Sequence, residues 1–269
     1  MNTPLDPIGP AACAWPSWFC KSKDLLLTLL LWGYFTLGFV VLFGPFYILG
    51  AVCAPRRHGF YEGLNHYFYR GFFGLCRLLI PLHQWRIDDA ARALRSSVIV
   101  CNHVSYIDSI LMISLFRRHT TIVKDRLFHM PVMGWVLKFS GYLPSVTEGR
   151  LAELMLRRME TLTADLAAGT NLFIFPEGTR SRDGRIGPFN PGAFKIARLC
   201  RAPLKVLFIR NTNRLFKPDK FLFNTCTANT ITVELIAELT PPYDSDNFSI
   251  QILMEEVRRL MEARTSLAR

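Results

Sequence analysis

The sequence predicts an α/β domain with a mixed sheet flanked by helices, preceded by an apolar helical segment near the N-terminus. Short apolar runs of strand length alternate with stretches of helical periodicity, and this alternation is typical of α/β folds. The run 25–54, which has no charged residue, stands outside that pattern. We therefore divide the 269 residues into an N-terminal tail (1–24), a membrane-associated helical segment (25–82) and an α/β domain (83–269).

The apolar run 25–54 is long enough to cross a membrane. As one helix it would measure about 45 Å, whereas the hydrocarbon core of a bilayer is about 30 Å thick. We expect a bend at Gly44-Pro45, because proline interrupts helical hydrogen bonding. Lysines precede the run and arginines follow it, which favours keeping both ends on one side of the membrane. A full crossing and a re-entrant hairpin both fit the run, and we favour a hairpin or a one-leaflet anchor.

The stretch 58–82 mixes aromatic and basic residues, a combination that suits a membrane interface. The alternative is an aromatic helix packed on the α/β domain. The net charge of +11 fits an anionic membrane surface. Nucleic acid is the alternative partner for that charge, but the sequence has no zinc-finger spacing and no recognisable stacking module, so we expect none. The seven cysteines include no Cys-x-x-Cys pair. We therefore expect no metal and no disulfides, and a catalytic domain on the cytoplasmic face of a membrane.

Within the α/β domain, apolar runs of strand length and stretches of helical periodicity follow one another. The predicted strands are 98–101, 120–123, 172–175, 204–209 and 230–236. The predicted helices are 151–168, 193–200 and 246–263. Apolar residues recur at helical spacing in the last of these, so we expect an amphipathic helix that closes the core.

The segment NHVSYID (102–108) follows the first predicted strand of this domain and carries a base with an acidic partner. On one continuous helix His103 and Asp108 would point about 140° apart and could not cooperate. We expect His103 to lie on a strand-to-helix turn and Ser105 to cap the helix that follows. Asp108 could then bond to one imidazole nitrogen, leaving the other to face a substrate as a general base.

This pair supplies two members of a Ser-His-Asp triad and lacks a nucleophile from the protein. A substrate hydroxyl could take that place, with His103 removing its proton as it attacks a thioester carbonyl. General base catalysis of this kind contributes about 10²- to 10⁴-fold. The alternative is that His103 is a hydrogen-bonded turn residue and Asp108 only a helix cap.

The segment FPEGTRS (175–181) directly follows another apolar strand. Ligands of open α/β sheets bind beyond the carboxyl ends of the strands, so both segments lie where a site is expected. Gly178 permits close backbone approach, Thr179 adds a hydroxyl, and Arg180 offers a guanidinium suited to phosphate oxygens. The two segments together indicate acyl transfer to a hydroxyl beside a site for an anionic head group.

Both segments resemble the signature of the glycerolipid acyltransferases typified by 1-acyl-glycerol-3-phosphate (lysophosphatidate) acyltransferase. That signature is Asn-His-x-Ser-x-x-Asp followed by Phe-Pro-Glu-Gly-Thr-Arg-Ser, and the resemblance continues through KDRLF (124–128) and GPFNPGAF (187–194). It covers 96–211 and implies the fold of that family. The resemblance implies that His103 is the base and Asp108 its charge partner. The acceptor-binding residues that it implies are Lys124, Glu177, Gly178, Thr179 and Arg180.

The resemblance also implies a reaction. A fatty acyl group would pass from a thioester, on coenzyme A or on acyl carrier protein, to the free hydroxyl of a lysophospholipid, with 1-acyl-glycerol-3-phosphate as the leading acceptor. We expect direct transfer without an acyl-enzyme and without a cofactor. The partners would be the lipid bilayer, the lysophospholipid and the acyl donor.

Two positions depart from the family pattern. Thr147 stands where an arginine usually closes the second block, with Arg150 as the nearest substitute, and Val206 stands where the last block has a proline. Because that arginine is a phosphate ligand in the family, a lyso-aminolipid or another hydroxylated amphiphile stays open as the acceptor. A thioesterase or lipid hydrolase on the same fold is a further alternative, and so is a catalytically silent lipid-binding protein.

Overall fold

The computed structural model describes residues 16–53, 57–145 and 149–266. Within these ranges the strands are β1 (His83–Ile87), β2 (Val98–Cys101), β3 (His119–Lys124), β4 (Leu143–Ser145), β5 (Asn171–Ile174), β6 (Leu204–Arg210) and β7 (Asn229–Leu239). They form a sheet in the order β1-β7-β6-β2-β5-β3-β4. Neighbouring strands are parallel except for β6 and β7, so the predicted mixed sheet is confirmed.

The helices of the α/β domain are α4 (Asp89–Ala93), α5 (Ile107–Leu115), α6 (Asp125–Phe128), α7 (Met133–Phe139), α8 (Arg150–Ala167), α9 (Gly192–Leu199), α10 (Thr212–Leu215) and α11 (Ile250–Ser266). Before them come α1 (Ser17–Gly33), a π-helix (Tyr34–Phe43), α2 (Gly44–Cys53) and α3 (His58–Leu79). The predicted helices 151–168, 193–200 and 246–263 are confirmed as α8, α9 and α11.

The sheet separates two apolar cores, because alternate residues of a strand point to opposite faces. Ile99 of β2 and Phe173 of β5 pack on the face that α3 and α5 cover. Val98 and Leu172 pack on the opposite face, beneath α9 and α11. The central strands are buried on both faces, and this explains why they read as continuous apolar runs.

All five predicted strands are confirmed, whereas β1 and β4 escaped prediction. β4 has three residues and contains Pro144, at the edge of the sheet where proline is tolerated. β1 alternates between polar and apolar residues over only five positions at the other edge. Neither strand has the continuous apolar run that identified the central strands.

Residues 25–53 of the apolar run form part of a continuous helical stretch, Ser17–Cys53. Among the described residues, this is the one helix that is long and apolar enough to cross a membrane. The chain stays helical through Gly44-Pro45, the position of the predicted bend. A π-helix precedes Pro45, and the amide of Gly44 bonds to the carbonyl of Phe39 five residues back. The wider turn accommodates a proline that has no amide hydrogen to donate.

The helix is continuous as far as Cys53, so the hairpin expected within 25–54 is not found in its described part, 25–53. α3 runs back along the long helix in the opposite direction. The rings of Tyr34 and Phe68 are stacked with centroids 5.1 Å apart, and those of Tyr47 and Tyr61 lie 5.4 Å apart. The last residue of the predicted run, Ala54, lies outside the described residues.

α3 is the aromatic and basic stretch predicted for 58–82, and it packs mainly on the rest of the protein. Its buried aromatic residues are Tyr61, Phe68, Phe72 and Phe73. Phe60 and Tyr67 remain exposed. Of the two expectations for this stretch, a helix packed on the α/β domain describes most of its aromatic side chains.

Residues 17–24, which the sequence assigned to the tail, belong to α1. Oδ1 of Asp24 accepts hydrogen bonds from the amide and the hydroxyl of Thr225, at 2.8 and 2.7 Å. The hydroxyl oxygen of Thr28 accepts a bond from the amide of Phe223 at 2.9 Å. These bonds attach α1 to the connection between α10 and β7. The charged residue Asp24 therefore lies within the helix and not in a tail before it. Residues 1–15 of the predicted tail lie outside the described ranges.

A buried carboxyl group joins α3 to the sheet. Glu62 is only 4% exposed, and its Oε2 accepts a hydrogen bond from the amide of His119 at 3.3 Å. Burial raises the pKa of Glu62 to about 7, although the nearby charge of Arg118 opposes the shift. The carboxyl group therefore changes its charge near neutral pH, inside the contact between the helical segment and the α/β domain.

We expect Glu62→Gln to stabilise the protein progressively as the pH rises. Between an unfolded pKa near 4.5 and a folded pKa of about 7, only the folded state holds the proton, so the stability of the wild type falls with increasing pH. Glutamine does not titrate, and its side-chain oxygen can still accept the hydrogen bond from the amide of His119. From about pH 5 to about pH 8 the variant should gain up to about 3 kcal/mol over the wild type.

Chemical unfolding of the detergent-solubilised chain measures this difference. Glu256→Gln, at an exposed position of α11, is the matched control and should show no such trend. A stability difference for Glu62→Gln that does not change with pH would contradict the assignment.

Candidate active site

His103 and Asp108 meet at the carboxyl end of β2. The strand ends at Cys101 and α5 begins at Ile107, so His103 lies on the predicted strand-to-helix turn. Its Nδ1 lies 2.9 Å from Oδ2 of Asp108. The Asp108 side chain is fully buried, whereas 15% of the His103 side chain is exposed. Because the carboxylate engages Nδ1, Nε2 is the nitrogen that a substrate can use.

Asp108 is held by several donors besides the imidazole. The amides of Val104 and Ser105 each donate to Oδ2 at 2.7 Å. The hydroxyl of Thr212 donates to Oδ1 at 2.5 Å. Hydrogen bonds to an ionised acceptor are stronger than neutral ones, and together these bonds satisfy a carboxylate that water does not reach.

Ser105 does not cap α5 as the sequence predicts. Its hydroxyl donates instead to the carbonyl of Phe216 at 2.9 Å, and the helix begins two residues after it. The carboxylate of Asp108 takes the capping role, because it reaches back to the free amides before the first turn. The pattern Ser-x-x-Asp fits both arrangements, and the sequence alone could not distinguish them.

Asn102 fixes the start of the turn. Its Nδ2 donates to the carbonyl of Ile209 at 2.9 Å, and its Oδ1 accepts from the amide of Ile209 at 2.7 Å. The side chain thus extends the pairing of β2 with β6 by one residue beyond the end of β2. This contact sets the direction in which the chain turns to present His103.

The loop after β5 supports His103 from behind. Oε1 of Glu177 accepts from the amide of His103 at 3.1 Å, and Oε2 accepts from the amide of Gly187 at 2.9 Å. The amide of Ser181 donates to the carbonyl of His103 at 2.7 Å. Phe175 stacks on the imidazole with ring centroids 4.2 Å apart. Both oxygens of Glu177 are therefore bonded to the main chain, and its role in acceptor binding stays a prediction.

Arg180 borders a cleft of about 300 Å³ that includes Thr179 and Gly187. Its guanidinium carbon lies 3.2 Å from the centroid of the Tyr106 ring. Its Nη1 is buried and has no hydrogen-bond partner within the part of the chain that the structure describes. A buried cationic nitrogen without a partner suits an anionic ligand, because leaving such a group unpaired is unfavourable.

The other predicted binding residues lie at the same edge of the sheet. Gly178 has φ +64°, a left-handed conformation that favours glycine, and Thr179 beside it is exposed. Lys124 is the exposed last residue of β3. The strands β2, β5 and β3 are parallel neighbours, so their carboxyl ends lie at one edge of the sheet. Lys124 ends β3 at this edge, and His103 and the 175–181 loop follow β2 and β5 there.

The two departures from the family pattern lie in different settings. Thr147 falls outside the described residues, and Arg150 is the first residue of α8. Val206 is buried in β6, where the pairing with β7 shifts register between Val206 and Leu207.

Three contacts at the site were not predicted: the hydroxyl of Thr212 on Asp108, the side chain of Asn102 on Ile209, and the ring of Phe175 on His103. Thr212 had one signal in the sequence. It follows the strand β6, which is parallel to β2, so polar residues there must lie near His103.

The imidazole of His103, with the carboxylate of Asp108 behind it, thus lies at the same edge of the sheet as a cleft whose charged lining residues are Arg180, Arg185, Glu177 and Asp183. Residues 79–209 match the family model described as Acyltransferase. This match confirms the resemblance that the two motifs indicated.

Named relatives agree with this assignment. A chloroplastic 1-acyl-sn-glycerol-3-phosphate acyltransferase of Brassica napus is 35% identical over 120 residues, which are 44% of this chain and 34% of the relative. The human 1-acyl-sn-glycerol-3-phosphate acyltransferase beta is 28% identical over 173 residues, 62% of this chain and 59% of the relative. The alignments span between 28% and 60% of such relatives.

A solved structure shares the fold. The 1-acyl-sn-glycerophosphate (LPA) acyltransferase PlsC from Thermotoga maritima matches with a TM-score of 0.69 at 20% identity. The match covers 91% of this chain and 96% of that chain. The predicted fold, a mixed sheet flanked by helices with an apolar helix before it, is therefore confirmed.

We expect Glu177→Gln to lower the rate of the catalysed reaction about ten- to hundredfold. The substitution replaces one carboxylate oxygen, which accepts a hydrogen bond from a main-chain N–H, with an NH₂ group that cannot accept one. The loop after β5 would then lose one of the two hydrogen bonds by which Glu177 connects the His103 turn and Gly187. Steady-state rates measure this effect, with Glu256→Gln as the control. A variant with an unchanged rate would show that Glu177 does not hold His103 in place.

Proposed function

We propose that the chain is an O-acyltransferase that moves a fatty acyl group from an acyl thioester to the free hydroxyl of a lysophospholipid, with 1-acyl-glycerol-3-phosphate as the leading acceptor. The observation that carries this proposal is the His103–Asp108 pair, which leaves Nε2 without a partner among the described residues, together with a guanidinium nitrogen of Arg180 that likewise has none there. The names of the relatives, which act on 1-acyl-sn-glycerol-3-phosphate, support the choice of acceptor.

The reaction needs no nucleophile from the protein. The acceptor hydroxyl attacks the thioester carbonyl, and Nε2 of His103 takes its proton as the new carbon–oxygen bond forms. Asp108 keeps the imidazole in position through Nδ1 and stabilises the imidazolium. The carbon–sulfur bond then breaks, and the proton passes to the departing thiolate. The products are the doubly acylated lipid and a free thiol.

Arg180 supplies the binding site for the phosphate of the acceptor in this proposal. Its buried Nη1 would gain the partner that it lacks, and the hydroxyl of Thr179 lies in the same cleft. In 1-acyl-glycerol-3-phosphate the free hydroxyl is on the carbon next to the one that bears the phosphate ester. A phosphate bound at Arg180 would therefore bring that hydroxyl to the edge of the sheet where His103 lies.

The apolar helix supports a reaction at the membrane surface. Each methylene withdrawn from water contributes about 0.8 kcal/mol, so a lysolipid with about ten buried methylenes is held in a bilayer by about 8 kcal/mol. The enzyme must therefore work at the membrane. The long helix exposes many large apolar side chains, including Leu26, Leu37 and Val41, and these suit contact with lipid. The donor thioester, on coenzyme A or acyl carrier protein, would arrive from the cytoplasm.

We expect His103→Ala to lower acyl transfer about 10²- to 10⁴-fold, the contribution of a general base. The assay uses a radiolabelled acyl thioester and 1-acyl-glycerol-3-phosphate in phospholipid vesicles, and it separates the acylated lipid from free fatty acid. His129→Ala, at an exposed histidine after α6, is the matched control and should keep full activity.

Transfer retained by His103→Ala, with the variant still folded and bound to vesicles, would overturn the mechanism. Release of free fatty acid by the wild type without any acceptor would identify a thioesterase or lipid hydrolase instead. Transfer to a lyso-aminolipid in preference to 1-acyl-glycerol-3-phosphate would keep the mechanism and change the acceptor.

A further inference from the structure

We propose that Thr212 is a positioning residue for acyl transfer, and that its hydroxyl locks Asp108 in the rotamer that holds His103. This inference rests on the proposed function, because it concerns how the proposed catalytic pair is kept in its geometry. Thr212 comes 104 residues after Asp108 in the chain and touches it through a single hydrogen bond of 2.5 Å.

The two carboxylate oxygens of Asp108 accept hydrogen bonds from different parts of the chain. Oδ2 accepts from His103 and from the amides of Val104 and Ser105. Oδ1 accepts from Thr212, which is its donor among the residues that the structure describes. The side chains of Asp108 and Thr212 are both fully buried, so water cannot replace the hydroxyl. Without it, one oxygen of a buried carboxylate would have no partner.

The geometry explains why a second point of attachment matters. The carboxylate can turn only about the Cα–Cβ and Cβ–Cγ bonds, and the donors to Oδ2 already resist that turning. The donor to Oδ1 comes from another part of the chain and resists it at the second oxygen. The rotamer of Asp108, and with it the direction of the bond to His103, is therefore restrained from both sides.

Thr212 is itself held rigidly. It begins α10 directly after Asn211, which has φ +61°, an uncommon left-handed conformation for a residue other than glycine. Nδ2 of Asn211 donates to the carbonyl of Thr230 at 2.9 Å, and Nδ2 of Asn229 donates to the carbonyl of Asn211 at 3.0 Å. Strained residues that several contacts enforce are concentrated at functional sites.

The structure also separates Thr212 from a catalytic role. Its hydroxyl is fully buried and donates to Asp108, so it faces no substrate. A positioning role predicts a lower kcat with little change in KM. A purely structural role predicts a loss of stability, with no special effect on kcat.

The test compares Thr212→Val, which keeps the shape and removes the hydroxyl, with Thr212→Ser, which keeps the hydroxyl. For Thr212→Val we expect kcat to fall about ten- to hundredfold, with KM for both substrates within about twofold of the wild type. Thr212→Ser should recover most of the rate. Thr120→Val is the matched control, because Thr120 is also buried but donates to the carbonyl of Gly141.

A double-mutant cycle shows whether Thr212 acts through Asp108. In an Asp108→Ala background, Thr212→Val should cause no further loss of kcat. An equal loss in both backgrounds would overturn the proposal, as would a kcat for Thr212→Val equal to that of the wild type. Thermal unfolding of each variant shows whether a low rate comes from a lost fold, and Thr212→Ser gives the answer if Thr212→Val does not fold.

One measurement does not depend on activity. In protein with isotope-labelled histidine, the Nδ1 proton of His103 should exchange with water faster in Thr212→Val than in the wild type, and at the wild-type rate in Thr212→Ser. Unchanged exchange in Thr212→Val would overturn the proposal. If the wild type transferred no acyl group, the proposed function would fail while this measurement still decided the role of Thr212.

Discussion

The buried carboxylate of Asp108 is the constraint on which the site depends. A charge removed from water is unfavourable unless hydrogen bonds replace its hydration. The chain supplies them from the turn itself and from α10, 104 residues away. Each donor fixes a part of the backbone, so satisfying one carboxylate also shapes the His103 turn, the start of α5 and the end of β6. The imidazole is oriented as a consequence.

A second carboxylate, that of Glu177, fixes the backbone of the neighbouring loop in the same way. Glu177 joins the His103 turn to Gly187, and burial raises its pKa even though both amide bonds oppose the shift. The helical segment is tied in as well, because Asp24 of α1 bonds to Thr225 on the connection that follows α10. The apolar helix and the residue that holds Asp108 are therefore attached to the same connection between β6 and β7.

Sequence patterns were sufficient where the cause was local. The central strands are buried on both faces, and so they read as apolar runs, and the five-residue spacing of His103 and Asp108 required a turn. Thr212 could not be paired with Asp108, because nothing in either segment specifies a contact across 104 residues. The position of the helical hairpin was missed for a different reason. The proline suggested where the apolar run would be divided, but the π-helix before Pro45 keeps the chain helical through it.

We infer that His103 activates a hydroxyl of the substrate and that the protein supplies no nucleophile. Rapid mixing of the enzyme with a radiolabelled acyl thioester, first without and then with the lysophospholipid, distinguishes this mechanism from one with an acyl-enzyme. Acid-quenched protein should carry no covalently bound acyl group at any time, and the thiol should appear only together with acylated lipid. Label bound to the protein in proportion to the enzyme, formed before the acceptor is added and then transferred to it, would contradict the account.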